Sequence, residues 1–257
     1  KLKYILMLKK IWITGASSGI GKSLAIKFAK EGWQVAASAR RENLLKELSK
    51  QNSNIFSFPL DVKQEGKAKE IFQKIITEFK EIDICVFCTG IHDPEAEKNL
   101  NSEKIREIME TNFFGTLNTI MSVSDCFKKK QSGHISIVSS VAGYRGLPAA
   151  SGYCASKAAL TSLAESLYFD FKRFNVRVSL ISPGFIKTPM TDKNKFPMPL
   201  IKSPEFAAEK MFIGLTKKNS FEIHFPIFFT MIMKLLKIMP NWLYFILVKK
   251  GMKTIKY

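Results

Sequence analysis

The sequence predicts an α/β fold, a doubly wound parallel sheet of about seven strands with helices on both faces. Three observations carry that expectation. Short apolar runs of strand length alternate with segments of helical period along the chain. A glycine-rich turn follows the first of those runs directly and opens onto a helical segment. No repeat or low-complexity linker interrupts the 257 residues, and 46% hydrophobic content suffices for one large core.

Taken in order, strands are expected over residues 10–15, 34–39, 54–58, 82–88, 133–139, 176–181 and 221–225, with helical patterns between them. The longest helical segment runs over residues 153–174. Another opens at Ser203-Pro204-Glu205, where a capping residue, a proline at the first helical position and an early acid follow one another. A single domain is expected over residues 1–225, followed by an apolar, basic helical tail over residues 226–257.

The formal charge is +18, from 40 Lys and Arg against 22 Asp and Glu. The lysines are spread along the chain rather than grouped, which favours a compositional bias over a nucleic-acid surface, so no nucleic-acid partner is expected. Residues 1–10 hold a short apolar core with no small-residue cleavage site, a poor signal peptide, and a cytoplasmic location is expected. Four cysteines fit a reducing compartment. Cys85 and Cys88 have C-x-x-C spacing, but on a strand residues three apart face opposite ways, so no shared metal is expected.

The first strand runs into Thr14-Gly15-Ala16-Ser17-Ser18-Gly19-Ile20-Gly21 and then a helix. Glycines at 15, 19 and 21 allow a tight turn, close approach of a phosphate and close helix-on-strand packing, which indicates dinucleotide binding in a Rossmann-type sheet. An acid that bonds the ribose 2′-hydroxyl belongs about twenty residues farther on; this chain has Arg40 and Arg41 there, which suits a 2′-phosphate and points to NADP(H). Asp61 and Val62, after the third strand, are placed to meet an adenine ring.

Tyr153 and Lys157 are four apart, so on a helix they share one face, where the ammonium is expected to lower the phenol pKa toward the range useful for proton transfer. Ser139-Ser140 close the apolar run upstream of them. Together with the glycine motif, Asn112 and Pro183-Gly184-Phe185-Ile186-Lys187-Thr188, the segment Tyr153-Cys154-Ala155-Ser156-Lys157 resembles the short-chain dehydrogenase/reductase family, from about residue 10 to about residue 190. The resemblance implies that Tyr153 is the acid/base, that Lys157 lowers its pKa and holds the nicotinamide ribose, that Ser140 bonds the substrate carbonyl and that Asn112 holds a relay water. It also implies that Gly15, Ser17, Ser18, Gly19, Ile20 and Gly21 meet the phosphates and ribose. Gly90, Pro183, Gly184, Ile186 and Thr188 would lie at the nicotinamide end. One departure is visible: the family has Asn-Ala-Gly after the fourth strand, and this chain has Cys88-Thr89-Gly90, which bears on the tie between central strands more than on the chemistry.

The activity implied is NADP(H)-dependent interconversion of a carbonyl and a secondary alcohol on a small molecule. The alternative is a redox-sensing or scaffolding protein of the same fold without turnover, since fold alone does not establish activity. Met190, Phe196, Met198, Leu200 and Ile201, in the loop the family folds over its site, suggest an apolar, lipid-like or steroid-like substrate, or else packing under a lid. Two apolar segments of the tail, split by Pro240, are each too short to span a bilayer. Trp242, Tyr244 and Phe245 with lysines at 234, 237, 249, 250, 253 and 256 fit segments lying on an anionic membrane face. The other readings of the tail are a cover over the substrate pocket and a subunit contact; a homo-oligomer is expected.

Overall fold

The computed structural model of the chain describes residues 9–194 and 196–253, with side chains described to residue 250. Seven parallel strands form one sheet: β1 (Lys10–Thr14), β2 (Gln34–Ser38), β3 (Ile55–Ser57), β4 (Ile84–Phe87), β5 (His134–Val138), β6 (Arg177–Pro183) and β7 (Glu222–Phe225). Their order is β3-β2-β1-β4-β5-β6-β7. The helices are α1 (Gly19–Lys30), α2 (Glu42–Gln51), α3 (Lys67–Phe79), α4 (Pro94–Lys98), α5 (Ser102–Met109), α6 (Gly115–Lys130), α7 (Ser151–Lys172), α8 (Pro204–Thr216), α9 (Ile227–Ile238) and α10 (Asn241–Lys253). A π-helical turn, Glu110–Phe114, joins α5 to α6.

Because successive strand residues face opposite ways, each central strand feeds two cores. Ile11, Ile13, Val35, Ala37, Ile84 and Val86 pack with α1 and α8 on one face. Trp12, Ala36, Cys85, Phe87, Ile135 and Ile137 pack with α3, α6 and α7 on the other. Cys85 lies in the second core and Cys88 packs against the first, so the C-x-x-C pair is divided by the sheet.

Every strand differs from the sequence expectation by one or two residues at one end or both, as at β4, which begins at Ile84 rather than Ile82. Phe58 N donates to Ala37 O at 2.9 Å and Leu60 N to Ala39 O at 3.0 Å, so backbone bonds to β2 run on past Ser57, where β3 ends. β6 continues past Ile181, with Pro183 opposite Phe225 and Gly184 N donating to Phe225 O at 2.7 Å.

The order reverses between β1 and β4, and a crevice opens beyond the carboxyl ends of the strands there. The glycine turn leaves β1, Arg40 and Arg41 follow β2, Gly90 follows β4 and Ser140 follows β5, so the fold delivers these segments to one rim. The tail folds back on the same end. Phe229, Thr230 and Met233 of α9 are buried, Phe229 and Met233 against Val141 and Tyr144. Between α9 and α10 the Arg145 guanidinium donates to Leu236 O at 2.6 Å, Met239 O at 2.7 Å and Asn241 Oδ1, and lies 4.0 Å from the Tyr244 ring centre. No helix among the described residues is long and apolar enough to cross a membrane. The signal-peptide expectation for residues 1–8, and Lys256 of the tail, lie outside the described residues.

Candidate active site

The glycine turn is held by contacts that exclude a side chain. Gly15 has φ +70°, and a Cβ there would lie 2.8 Å from Cys88 O; one on Gly21 would lie 2.3 Å from Gly15 O. Ser18 caps α1 without a side-chain bond to the first turn, which leaves N–H groups of that turn available to an anion. Arg41 spans the turn, donating to Ser17 Oγ at 2.9 Å and Ser18 Oγ at 2.8 Å, with Arg40 exposed beside it. Asp61 Oδ1 accepts from Lys63 N at 3.1 Å, and Asn118 Nδ2 donates to Val62 O at 3.1 Å, which fixes the loop after β3.

A cleft of about 430 Å³ opens over this turn. Its walls bring together Gly15, Ser17, Ser18, Gly19, Ile20, Gly21, Arg40, Arg41, Asp61, Val62, Gly90, Ser140, Tyr153, Lys157, Pro183, Gly184, Ile186 and Thr188. Thr111 also lines it, and its buried hydroxyl has no hydrogen-bond partner, a feature that no spacing in the sequence marked. The glycine cradle, the free helix end and the arginines fit a dinucleotide.

At the inner end of the cleft the first turn of α7 carries Tyr153, and Lys157 follows one turn later. Lys157 Nζ donates to Val138 O at 2.9 Å and lies 5.7 Å from the Tyr153 ring centre. Ser139 Oγ donates to Lys157 O at 2.8 Å, locking the end of β5 to α7. Ser140 Oγ accepts from Ala142 N at 3.1 Å, and a bond from Ser140 favours the Tyr153 phenolate. Burial outweighs that bond and pushes the Tyr153 phenol up to about 12. The same burial brings the Lys157 ammonium down to about 8. The sequence expectation of a phenol lowered by its lysine neighbour is therefore reversed in the protein alone, because both groups are desolvated together.

Asn112 is fully buried in the π-helical turn and does not line the cleft. Its Nδ2 donates to Ile91 O at 3.0 Å and Ser156 Oγ at 3.0 Å, and its Oδ1 accepts from Ile91 N at 2.8 Å. The side chain thus ties the loop after β4 to α7. At the Cys88-Thr89-Gly90 departure, Cys88 N donates to Thr14 Oγ1 at 3.1 Å, so a backbone amide and a threonine link β4 to β1. Burial raises the Cys88 thiol to about 11.

A second cavity, about 270 Å³, adjoins the cleft. Val141, Leu147, Phe185, Met190, Phe229 and Met233 make it largely apolar, and His92, Ser140, Tyr153, Gly184, Met190 and Thr191 border both spaces. Sequence patterning missed His92 and its buried partner Glu97; a lone histidine and one acid in a charge-rich segment carry no periodic signal. It also gave no means of placing Phe229 and Met233 in this wall.

The short chain dehydrogenase family model matches residues 9–197. The chain belongs to the short-chain dehydrogenase family. It is similar to an uncharacterized oxidoreductase of Myxococcus xanthus, 34% identical over 236 residues that cover 90% of this chain and 93% of the relative. A 3-oxoacyl-acyl-carrier-protein reductase of Thermotoga maritima is 30% identical over 223 residues, 81% of this chain and 91% of that protein. The solved structure of ElxO with NADP bound superposes with a TM-score of 0.73 at 26% identity, covering 85% of this chain and 96% of the other. This short-chain dehydrogenase is an oxidoreductase of a family that binds a nicotinamide cofactor, and its motifs meet where the sheet order reverses.

Proposed function

We propose that the protein interconverts a carbonyl and a secondary alcohol with NADP(H), on a largely apolar substrate. The observation that carries this is the shared wall: Ser140 and Tyr153 border both the cleft over the glycine turn and the apolar cavity. A bound nicotinamide supplies the hydride in reduction and takes it up in oxidation. In reduction the Tyr153 hydroxyl gives its proton to the carbonyl oxygen while Ser140 donates a hydrogen bond to the developing alkoxide. Lys157, protonated, offsets the negative charge left on the phenol. Asn112 acts by holding Ile91 and Ser156 in place, since its side-chain donors are already engaged.

NADP(H) is favoured because Arg40 and Arg41 stand where a carboxylate would bond a ribose hydroxyl, and Arg41 already reaches Ser17 and Ser18. The NADP-bound ElxO structure supports the same choice. A reductase among the relatives supports the direction of carbonyl reduction. The apolar exposed face of α9 and α10, flanked by lysines, supports a position on an anionic membrane surface, with no acid in the chain after Glu222. Met121, Tyr168 and Phe169, exposed on α6 and α7, support a contact with a second copy of the chain.

The test is steady-state turnover of ketones of graded chain length with NADPH and NADH. We expect kcat/KM to rise with chain length and to favour NADPH at least tenfold, about 1.4 kcal/mol. Equal use of both cofactors would overturn the NADP(H) assignment, and absence of turnover with every ketone and every alcohol would overturn the enzymatic one.

A further inference from the structure

A buried carboxylate is costly unless its oxygens are hydrogen-bonded, and the one nearest Tyr153 is well supplied. Glu97, with a side chain 0% exposed, pairs through Oε1 with His92 Nδ1 at 2.7 Å, and its Oε2 accepts from Tyr153 N at 2.8 Å. Asp93 N donates to Oε1 at 3.4 Å. The His92 and Tyr153 rings lie 4.6 Å apart. With Nδ1 committed to the carboxylate, Nε2 is the ring's remaining polar atom, and in the tautomer that carries its proton on Nδ1 it is an acceptor. No group among the described residues bonds Nε2, and His92, its side chain 8% exposed, borders both the cleft and the second cavity.

We propose that His92, oriented by Glu97, is a specificity-determining residue whose Nε2 accepts a hydrogen bond from a substrate hydroxyl close to the reacting carbon. This rests on the carbonyl-reducing function proposed above. Ser140 and Tyr153 take the reacting oxygen, Phe229 and Met233 offer only apolar contact, and His92 is a polar group on the wall beside Tyr153. The substrate class is then an α- or β-hydroxyketone with an apolar remainder, or the corresponding diol in oxidation. A site built to bond a hydroxyl rejects an analogue lacking it far more strongly than it senses one methylene.

The experiment compares a hydroxyketone, a diketone and a simple ketone of equal chain length with the intact enzyme and NADPH. The hydroxyketone should show the highest kcat/KM, at least tenfold above the simple ketone. In His92→Phe that ratio should fall to near one, and His92→Gln, which keeps an acceptor, should recover part of it. Loss of folded enzyme lowers both rates together and leaves the ratio unmoved, so a folding defect cannot mimic the result. No hydroxyl preference in the parent enzyme, preference for the diketone, or a ratio unchanged in His92→Phe overturns the proposal while leaving carbonyl reduction standing. Turnover of none of the three overturns both.

Discussion

Tyr153 and Lys157, the pair proposed to carry the chemistry, shift in opposite directions from one cause. Burial holds the phenol near 12 and brings the ammonium to about 8, so around neutral pH the protein keeps a protonated tyrosine beside a protonated lysine. The proposed reduction needs both protons, and Lys157 loses its proton first as pH rises. We therefore expect kcat/KM for reduction to fall as pH climbs through about 8, read from a pH–rate profile. The stability sign follows from linkage. The folded chain releases the Lys157 proton at about 8, whereas the ordinary lysine value is 10.5, so across that window the unfolded chain binds more protons and the Lys157 contribution to stability rises with pH. For the acid itself, Tyr153→Phe should lower kcat roughly 10²-fold or more, the scale of general acid catalysis. NADPH affinity, from cofactor fluorescence, should stay within a few fold; near-normal turnover by this variant would remove Tyr153 from the role.

Among the elements, α9 buries one face and leaves the other exposed. Phe229 meets Gly184 so closely that a Cβ on the glycine would lie 2.7 Å from the ring, while Phe228, next in the chain, is 71% exposed. Arg145 fastens this helix and α10 to the segment that precedes α7, accepting no bonds and donating several to helix-end carbonyls. Hydrogen bonds from a charged donor contribute about 1.5–3 kcal/mol each. Arg145→Ala should therefore speed amide exchange in α9 and α10 well ahead of the sheet and raise KM for long-chain ketones more than for short ones. Uniform exchange across the chain would show that the tail is held by its apolar contacts alone. The π-helical turn is a second element with a local cause. It lets Gly115 approach Val62 so closely that a Cβ would lie 2.4 Å from Cγ2, and it carries Asn112 to Ile91 and Ser156.

At the scale of the whole molecule, the apolar surface concentrates on the tail, with Ile238 77% and Trp242 66% exposed. Glu222, the last acid in the chain, is already paired with Lys234 at 2.6 Å, so no carboxylate opposes an anionic surface farther along. The intact protein should co-sediment with vesicles containing anionic phosphatidylserine, less so at high salt, and Trp242→Ser with Phe245→Ser should weaken this without changing the sheet. Protein that stays in the supernatant at low salt would assign the same face to a contact between copies of the chain.

The order of elements, the glycine turn and the Tyr-Lys pair were legible in the sequence because each depends on short-range spacing. A strand of given period, a backbone that admits only glycine, and two side chains one helical turn apart are local properties. The two faces of Cys85 and Cys88 were legible for the same reason. The reversed shift of Tyr153 was not, since desolvation is set by everything that packs around the phenol and not by its neighbour four residues on. Nor was the use of Asn112, whose partners at Ile91 and Ser156 come from segments 21 and 44 residues away. His92 and Glu97 meet Tyr153 only because β4 and β5 lie side by side, which carries the loop after one to the helix after the other. The sequence by itself determined the sheet, the glycine turn and the spacing of Tyr153 and Lys157; tertiary structure decided what surrounds them, because burial and long-range contact exist only once the chain is closed.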